Sequence, residues 1–336
     1  MKLLFDADAS LKSINGKTVA VLGYGNQGRA QALNLRDSGV TVVVGNRQDE
    51  YRDLAVEEGW TPLTIPEAAA AADILLVLVT DECMPTIWDD QILPGIEAGN
   101  TLCWGSGYNC GYEIIKPPKT ANAVMIAPLM TGNMVRELFE QGRGVIGQYA
   151  VEHDATGDAL ETTLALCKGM GLMRAGVYKS SFLGEAHLNL FTEQVVWPGL
   201  ISWFLECYEL AVKEGYPPEA VIMTLYASGE ASEIFGLMAR YGFFKQMRYH
   251  STTSQYGTLT RAKTIISDSM REQARKNFVE DVIGGKFVKE WSGDAEESSK
   301  RLDALRKEAS QHPMTVAEER VLELLRGSGA GGKTTV

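Results

Sequence analysis

The chain has 336 residues, a formal net charge of −11, a hydrophobic share of 45% and a charged share of 22%. This length suffices for two domains with buried cores, and the composition is typical of a soluble globular protein. The acidic balance argues against nucleic-acid or anionic-membrane partners. Five cysteines without CxxC spacing, no signal-like N-terminus and no apolar run of about 20 residues predict a reduced, cytoplasmic protein.

The most informative stretch lies near the start, where the apolar run 19–22 meets a glycine-rich turn. Helical spacing over 29–37 and a second apolar run, 40–44, complete a strand–turn–helix–strand unit. Its three glycines permit a tight turn, backbone approach to phosphate, and close helix packing. The unit predicts a dinucleotide pyrophosphate on the helix N-terminus, although a purely structural turn has the same pattern. The predicted contacts are Gly23, Tyr24, Gly25, Asn26, Gln27 and Gly28.

Further strands are predicted at 74–79, 100–104, 124–127 and 144–150, alternating with helical segments. This alternation predicts a doubly wound α/β sheet with its ligand at the carboxyl ends of the strands. The loops after Val79, Trp104 and Ala127 are therefore expected to surround the nicotinamide. Within these loops, the predicted cofactor contacts are Thr80, Asp81, Ser106 and Gly107.

The segment that follows the second strand bears on NADH against NADPH. Asp49 would accept hydrogen bonds from a free ribose diol and repel a 2′-phosphate, which favours NADH. Arg47 would stack on adenine or pair with phosphate, and together with Arg52 it leaves NADPH open.

From about residue 162 the pattern becomes nearly continuous helix, with segments predicted at 185–212, 218–240, 257–283 and 296–310. The stretch 190–205 is apolar almost all round, which predicts a fully buried helix. Its aromatic residues Trp197, Trp203 and Phe204 are expected in a core or a subunit contact. We therefore predict a dinucleotide-binding domain at 1–180, a helical dimerisation and substrate domain at 181–326, and a disordered tail at 327–336.

The string GYGNQGRAQALNLRDSGVTVVVG closely resembles the ketol-acid reductoisomerase family. The likeness continues through TDE at 80–82, SGYN at 106–109, GNMVR at 132–136, LFTEQ at 190–194 and STTSQYG at 251–257. It implies the short form of that family: a Rossmann-type domain and an all-α C-terminal domain that interlocks with a second protomer. The active site would then be shared within a homodimer or a larger homo-oligomer.

Members of that family use two Mg²⁺ ions during an alkyl migration, and NAD(P)H then delivers hydride. The resemblance implies carboxylate ligands for these ions, yet Asn189 replaces the aspartate of the DLFGE motif. Tyr226 replaces the first of two glutamates spaced four apart. Glu193 and Glu230 match the remaining carboxylates and are weak metal candidates, so Mg²⁺ binding is doubtful and no metal site is predicted.

Other polar positions of the family pattern have also changed. Ser106 replaces the histidine of HGFN, Leu129 the lysine of APK, and Asn133 the histidine of the GHTVR-like segment. His187 is expected to be a pocket-rim or hydrogen-bonded side chain, because it does not share a helix face well with Glu193.

The remaining groups suit a reduction without metal. Glu193 and Glu230, if close, would share a proton and supply a donor near neutral pH, or each is a solvated or salt-bridged glutamate. Tyr226 is expected either to donate a hydrogen bond from its hydroxyl to a carbonyl or imine, or to fill the volume that the metal ions occupy in the family. Ser251 matches the family serine that binds the substrate carboxylate, or is a helix cap. Asn189 and Asn133 are further substrate-binding candidates.

These residues predict an NAD(P)H-dependent biosynthetic reductase that reduces C=O or C=N in a small carboxylate, without the two-magnesium isomerisation. A working ketol-acid reductoisomerase with an atypical metal site is one alternative. A non-catalytic dinucleotide-binding member of the family is the other.

Overall fold

The computed structural model describes residues 1–327 and divides into two compact units, Met1–Asn189 and a second unit that begins at Leu190. The division falls inside the helical stretch Phe182–Lys213. From residue 328 onward, the predicted tail lies outside the described residues.

The first unit is built on an eight-stranded sheet in the order β1-β8-β7-β6-β5-β4-β2-β3. Its strands are β1 Leu3–Leu4, β2 Thr18–Leu22, β3 Thr41–Gly45, β4 Ile74–Val77, β5 Thr101–Trp104, β6 Asn122–Pro128, β7 Gly147–His153 and β8 Val177–Lys179. The strands from β3 to β6 pair in parallel, whereas β7 runs antiparallel to β6 and β1 antiparallel to β8. The predicted α/β sheet is therefore confirmed, with a mixed rather than fully parallel edge.

Helices cover both faces of this sheet, as its alternating apolar side chains require. Val19 and Val21 of β2 enter one apolar cluster, whereas Ala20 and Leu22 enter another. The helices of this unit are α1 Asn26–Asp37, α2 Glu50–Glu57, α3 Ile65–Ala70, α4 Met84–Ile87, α5 Tyr108–Gly111, α6 Gly132–Glu140, α7 Ala159–Gly169 and α8 Phe182–Phe191. Strand β7 begins at Gly147, later than the predicted 144.

The second unit is all helical among the described residues. Its helices are α9 Trp197–Lys213, α10 Pro218–Ile222, α11 Glu230–Tyr241, α12 Thr252–Ile265, α13 Asp268–Lys276, α14 Lys286–Gly293, α15 Ala295–Ser310 and α16 Pro313–Gly327. The predicted helix 218–240 is interrupted at Gly229, whose φ of 87° ends one helix before the next begins. The predicted helix 257–283 is interrupted where Ser267 caps α13 by accepting a hydrogen bond from the Met270 N–H.

Turns of π-helix join several of these helices. They cover Thr192–Val196 between α8 and α9, Met223–Ala227 after α10, and Asn277–Ile283 after α13. Such turns insert one residue into an α-helix and are frequent at functional sites.

The helical stretch Phe182–Lys213 is strongly apolar but little buried within one chain. Trp197 is 49% and Ile201 66% exposed, so the prediction of a fully buried helix over 190–205 is wrong for the single chain. By length and composition alone this stretch could cross a bilayer, which is weak evidence because core helices of soluble proteins pass the same test.

Candidate active site

The predicted glycine turn links β2 to α1. Gly23 has a φ of 98°, and its N–H donates to the Gly45 carbonyl oxygen at 2.8 Å. A Cβ on Gly28 would lie 1.8 Å from the Gly23 oxygen, so only glycine allows this close packing. A Cβ on Gly25 would meet no atom within 4 Å. Open space therefore lies beside Gly25 at the α1 N-terminus.

Tyr24 lies under this turn with its side chain fully buried. Its hydroxyl donates to Glu58 Oε2 at 2.8 Å and accepts from Trp60 Nε1 at 2.7 Å. Burial, and then the hydrogen bond to Glu58, raise the pKa of the Tyr24 phenol. Glu58 also accepts from Arg29 Nε at 3.0 Å. The Tyr24 side chain thus braces the turn, and only its backbone is left for the predicted cofactor contact.

The loop after β6 holds the first turn of α1 from the other side. Gln27 Nε2 donates to the Met130 carbonyl oxygen at 2.8 Å. Gly132 packs so closely that a Cβ would lie 1.8 Å from the Asn26 oxygen. Asn133 follows in the first turn of α6 with an exposed side chain.

The segment predicted to read the ribose contains Asp49, which caps α2. Asp49 Oδ1 accepts from Asn46 Nδ2 at 2.7 Å and from the Arg52 N–H at 3.2 Å, and Oδ2 accepts from Arg47 Nε at 2.7 Å. Burial alone would raise the pKa of the Asp49 carboxyl, but these donors lower it below its ordinary value. Asn46 Oδ1 also accepts from the Tyr24 N–H at 2.9 Å, which connects this segment to the glycine turn.

Arg47 and Arg52 have different surroundings. The Arg47 side chain is 73% exposed and could reach a phosphate or adenine. The Arg52 guanidinium instead donates to the carbonyl oxygens of Asn46, Pro62 and Leu63. The structure therefore gives Arg52 a role in holding the chain fold, and Arg47 is the better phosphate candidate.

The predicted nicotinamide contacts lie at the ends of β4 and β5. Thr80 is exposed, and Asp81 Oδ1 accepts from Asn109 Nδ2 at 2.9 Å. Ser106 Oγ accepts from the Tyr108 N–H at 3.1 Å. The Gly107 N–H donates to Glu185 Oε2 at 2.6 Å, which fastens this loop to α8.

Two further polar groups of α8 lie beside the same loop. Glu185 is only 5% exposed. His187 Nε2 is buried without a hydrogen-bond partner among the described residues, and its ring lies 5.9 Å from that of Tyr112. Burial raises the pKa of the Tyr112 phenol to about 12.

In the second unit, two candidates lie in π-helical turns, Glu193 in Thr192–Val196 and Tyr226 in Met223–Ala227. Glu230 is the first residue of α11. Ser251 caps α12, because its Oγ accepts from the Ser254 N–H at 3.2 Å, so the helix-cap interpretation describes its local contact.

The Tyr226 hydroxyl donates a hydrogen bond to the Glu318 carboxylate on α16. Its ring stacks on Phe204, with centroids 6.2 Å apart and planes 11° apart. Burial, and then Glu318, raise the pKa of this phenol.

Within one chain, residues 1–327 contain no group of three or more His, Cys, Asp or Glu side chains placed to hold a metal. Where the family resemblance implies carboxylates, the chain presents the amide of Asn189 and the phenol of Tyr226. Magnesium prefers charged oxygen ligands, and two close dications need several of them.

Sequence reasoning missed the residues that brace these candidates. Glu58 and Glu318 accept hydrogen bonds from tyrosines 34 and 92 residues away in the sequence, and no local sequence pattern predicts such contacts. Glu185 had a readable signal, since a carboxylate within an apolar helical stretch needs a polar partner.

The Rossmann-type unit and its glycine turn define a nicotinamide-dinucleotide-dependent oxidoreductase. The NADPH-binding domain of acetohydroxy acid isomeroreductase matches residues 13–176, and the C-terminal domain of ketol-acid reductoisomerase matches residues 182–326. The chain therefore belongs to the ketol-acid reductoisomerase family.

Relatives and a solved structure agree over nearly the whole length. The chain is 39% identical to the ketol-acid reductoisomerase (NADP(+)) of Methanocaldococcus jannaschii, over 93% of this chain and 94% of that one. It is 38% identical to the enzyme of the same name from Pyrobaculum islandicum, over 97% and 98%. The structure of an NADH-preferring ketol-acid reductoisomerase from an uncultured archaeon aligns with a TM-score of 0.92 at 32% identity, over 96% and 99%.

Proposed function

We propose that this chain is an NAD(P)H-dependent reductase that reduces a C=O or C=N bond of a small carboxylate and has lost the two-magnesium isomerisation. The observation that carries this proposal is the state of Tyr226. The family resemblance implies a carboxylate at this position, and the Tyr226 hydroxyl donates to Glu318 within the same unit. A neutral phenol held in this way is a poor ligand for Mg²⁺.

The chain supplies binding and orientation for this reaction. When bound, the nicotinamide cofactor supplies the hydride. The open space at Gly25 receives the pyrophosphate, and the loops of Asp81 and Ser106 face the nicotinamide. Ser251, at the N-terminus of α12, holds the substrate carboxylate with the help of the helix dipole. Glu193, Glu230 and Tyr226 are the candidates for proton delivery.

We propose NADH as the preferred cofactor. The Asp49 carboxylate is held ionised beside the ribose-reading segment, where it would repel a 2′-phosphate. The solved relative from the uncultured archaeon is described as NADH-preferring, which supports this choice. Arg47 keeps a phosphate partner available for NADPH.

We also propose a cytoplasmic homodimer or larger homo-oligomer with a shared active site. The exposed apolar side chains of α9 support this assembly, because a second copy would remove them from water. Its apolar surface is therefore assigned to a subunit contact rather than to a membrane.

The test follows NADH oxidation with a panel of keto and imino acids, with EDTA or with Mg²⁺. Turnover that EDTA leaves unchanged is the expected result. Mg²⁺-dependent conversion of 2-acetolactate would instead establish a working ketol-acid reductoisomerase. Tight cofactor binding without turnover of any substrate would favour the non-catalytic alternative.

A further inference from the structure

Three large apolar side chains are exposed together at the carboxyl edge of the sheet in the first unit. Leu129 is 47%, Met130 45% and Ile146 37% exposed, and we call these three residues the apolar wall. The Leu129 N–H donates to the Ile146 carbonyl oxygen at 2.9 Å, so the two residues are neighbours. Leu129 directly follows β6 and Ile146 directly precedes β7. These strand ends lie side by side, because Pro128 pairs with Gly147.

The apolar wall lies beside the predicted cofactor-binding turn, within the same unit. The Met130 carbonyl oxygen accepts from Gln27 Nε2 at 2.8 Å. Gly132 packs so closely that a Cβ there would lie 1.8 Å from the Asn26 carbonyl oxygen, and Asn26 and Gln27 begin α1. Ligands of doubly wound sheets bind at the carboxyl ends of the strands, where β4, β5 and β6 end. The wall therefore borders the part of the first unit to which we assign the nicotinamide.

The loop that carries Leu129 and Met130 is uncharged. The sequence 122–135 contains no Asp, Glu, Lys, Arg or His. Arg136, the next charged residue, is paired with Asp37 and Glu140. The family resemblance implies a lysine where Leu129 stands, so an apolar side chain replaces a charged one. This loop accordingly offers no cation to a second carboxylate or a phosphate group of a substrate.

The size of the apolar wall suits a small molecule rather than a protein partner. Stable protein–protein interfaces bury about 800 Å² on each partner and involve about 20 to 30 residues a side. Three partly exposed side chains fall far short of that area. They are sufficient to contact one short hydrocarbon chain or ring.

We propose that the apolar wall is a subsite for the substrate's side chain, and that it selects carboxylates with an apolar substituent over those with a charged one. The inference rests on the proposed reductase function and narrows its substrate class. An apolar substituent gains about fourfold in affinity for each methylene that is fully removed from water. A charged substituent would lose its hydration at the wall without finding a partner. The wall thus determines specificity and takes no part in the transfer of hydride or proton.

The test measures kcat/KM for 2-oxobutanoate, 2-oxopentanoate, 2-oxohexanoate and 2-oxoglutarate with the full-length protein and NADH. Each acid is offered with and without ammonium, so that keto and imino forms are both available. We expect kcat/KM to rise about threefold for each methylene added along the aliphatic series. 2-Oxopentanoate should exceed 2-oxoglutarate, which has the same number of carbons and a second carboxylate, by at least about tenfold.

Substitutions of Leu129 test whether the wall causes this preference. Leu129→Ser should reduce the gain per methylene to about twofold or less. Leu129→Lys should favour 2-oxoglutarate over 2-oxopentanoate, because the ammonium group would pair with the second carboxylate. Leu160→Ser is the matched control and should change neither preference. Leu160 is also 47% exposed, but it lies in the first turn of α7, after a loop that contacts Asn122 at the start of β6 and hence at the opposite edge of the sheet.

The absence of a chain-length gain in the wild type, or equal effects of the two serine variants, would overturn the inference while leaving a reductase in place. Size-exclusion chromatography covers the other possible occupant of the wall, a second copy of the chain. If Leu129→Ser changes the assembly and keeps the chain-length gain, the wall is a subunit contact and the inference is wrong.

A binding measurement separates this inference from the proposed function. Calorimetry on the NAD⁺-loaded protein should show that 2-hydroxyhexanoate binds about tenfold tighter than 2-hydroxybutanoate, and that L129S reduces this difference to about fourfold or less. If no acid is reduced and the difference is found, the proposed function fails and the subsite stands. Equal binding of the two acids, or no binding of either, would contradict the subsite.

Discussion

The Gly107 N–H donates a 2.6 Å hydrogen bond to Glu185 Oε2, which joins the loop after β5 to helix α8. Glu185→Ala should destabilise the protein by about 2 kcal/mol, because it leaves a buried N–H without an acceptor. Urea denaturation measures this loss. Glu185→Gln keeps an acceptor oxygen and should cost less, and Glu161→Ala, on an exposed residue of α7, should cost little. Equal losses in all variants would show that this hydrogen bond does not hold the loop.

The glycine turn allows binding and folding to be tested separately. Gly25→Ala places a methyl group in open space, so stability should be kept while the Kd for NADH rises about tenfold or more. Gly28→Ala would collide with the Gly23 oxygen and should cost about 2 kcal/mol or more. Thermal melting and NADH titration of both variants provide the measurement. Unchanged NADH binding by G25A would remove the pyrophosphate from this turn.

Replacing Asp49 with asparagine should change the preference between NADH and NADPH without changing the fold. Asparagine and aspartate are equally good helix caps. Asp49→Asn removes the charge near the 2′ position and should improve NADPH binding about tenfold relative to NADH. Glu50→Gln, one residue later on an exposed side chain, should leave the ratio unchanged. Kd values for both cofactors decide the matter, and a wild-type preference for NADPH would contradict the proposed role of Asp49.

Restoring the missing carboxylates should restore metal binding. The family resemblance implies carboxylates at positions 189 and 226, and the double variant N189D/Y226E supplies them, so Mg²⁺ should raise its Tm. The wild-type protein should show no such shift. A comparable Mg²⁺-dependent shift in the wild type would show that the present donor set already suffices.

The Glu58 carboxylate predicts an acid-sensitive contribution to stability. Burial alone would raise the pKa of this carboxyl, but Arg29 and Tyr24 lower it below its ordinary value of 4.5. A lowered folded pKa stabilises the protein above the unfolded value, and this stabilisation is lost as pH falls through the folded pKa. Glu58→Gln should therefore cost about 2 kcal/mol at pH 7 and progressively less as the pH falls below 4.5. Urea denaturation over a pH series, with exposed Glu57→Gln as control, checks this, and a gap independent of pH would contradict it.

The first unit was more predictable from sequence than the second. Strands such as β4 and β5 are short runs of buried residues, and the conformations of Gly23 and Gly28 follow from a turn that only glycine allows. Helix ends in the second unit depend on positions such as Gly229, which interrupts a continuous apolar pattern. The exposure of Ile201 could not be read from an apolar helix, because periodicity does not tell a core from a subunit contact.

The residues of the candidate site also differ in how far the sequence could predict their contacts. Cofactor positions follow from a local motif, and the loops at the ends of β4 and β5 lie where a doubly wound sheet places them. The Tyr226–Glu318 contact joins residues 92 apart and depends on how α16 packs, so the sequence alone could not reveal it.

The π-helical turn Thr192–Val196 makes this part of the chain sensitive to the deletion of a single residue. Deleting one codon within it would restore an uninterrupted α-helix across α8 and α9. Because each residue turns an α-helix by about 100°, everything downstream would rotate by that angle. Trp197 and Ile201 would then leave the side of the helix that they now occupy. Single-codon deletions should accordingly be tolerated in exposed loops and rejected at this turn, even when the deleted codon is not that of Glu193.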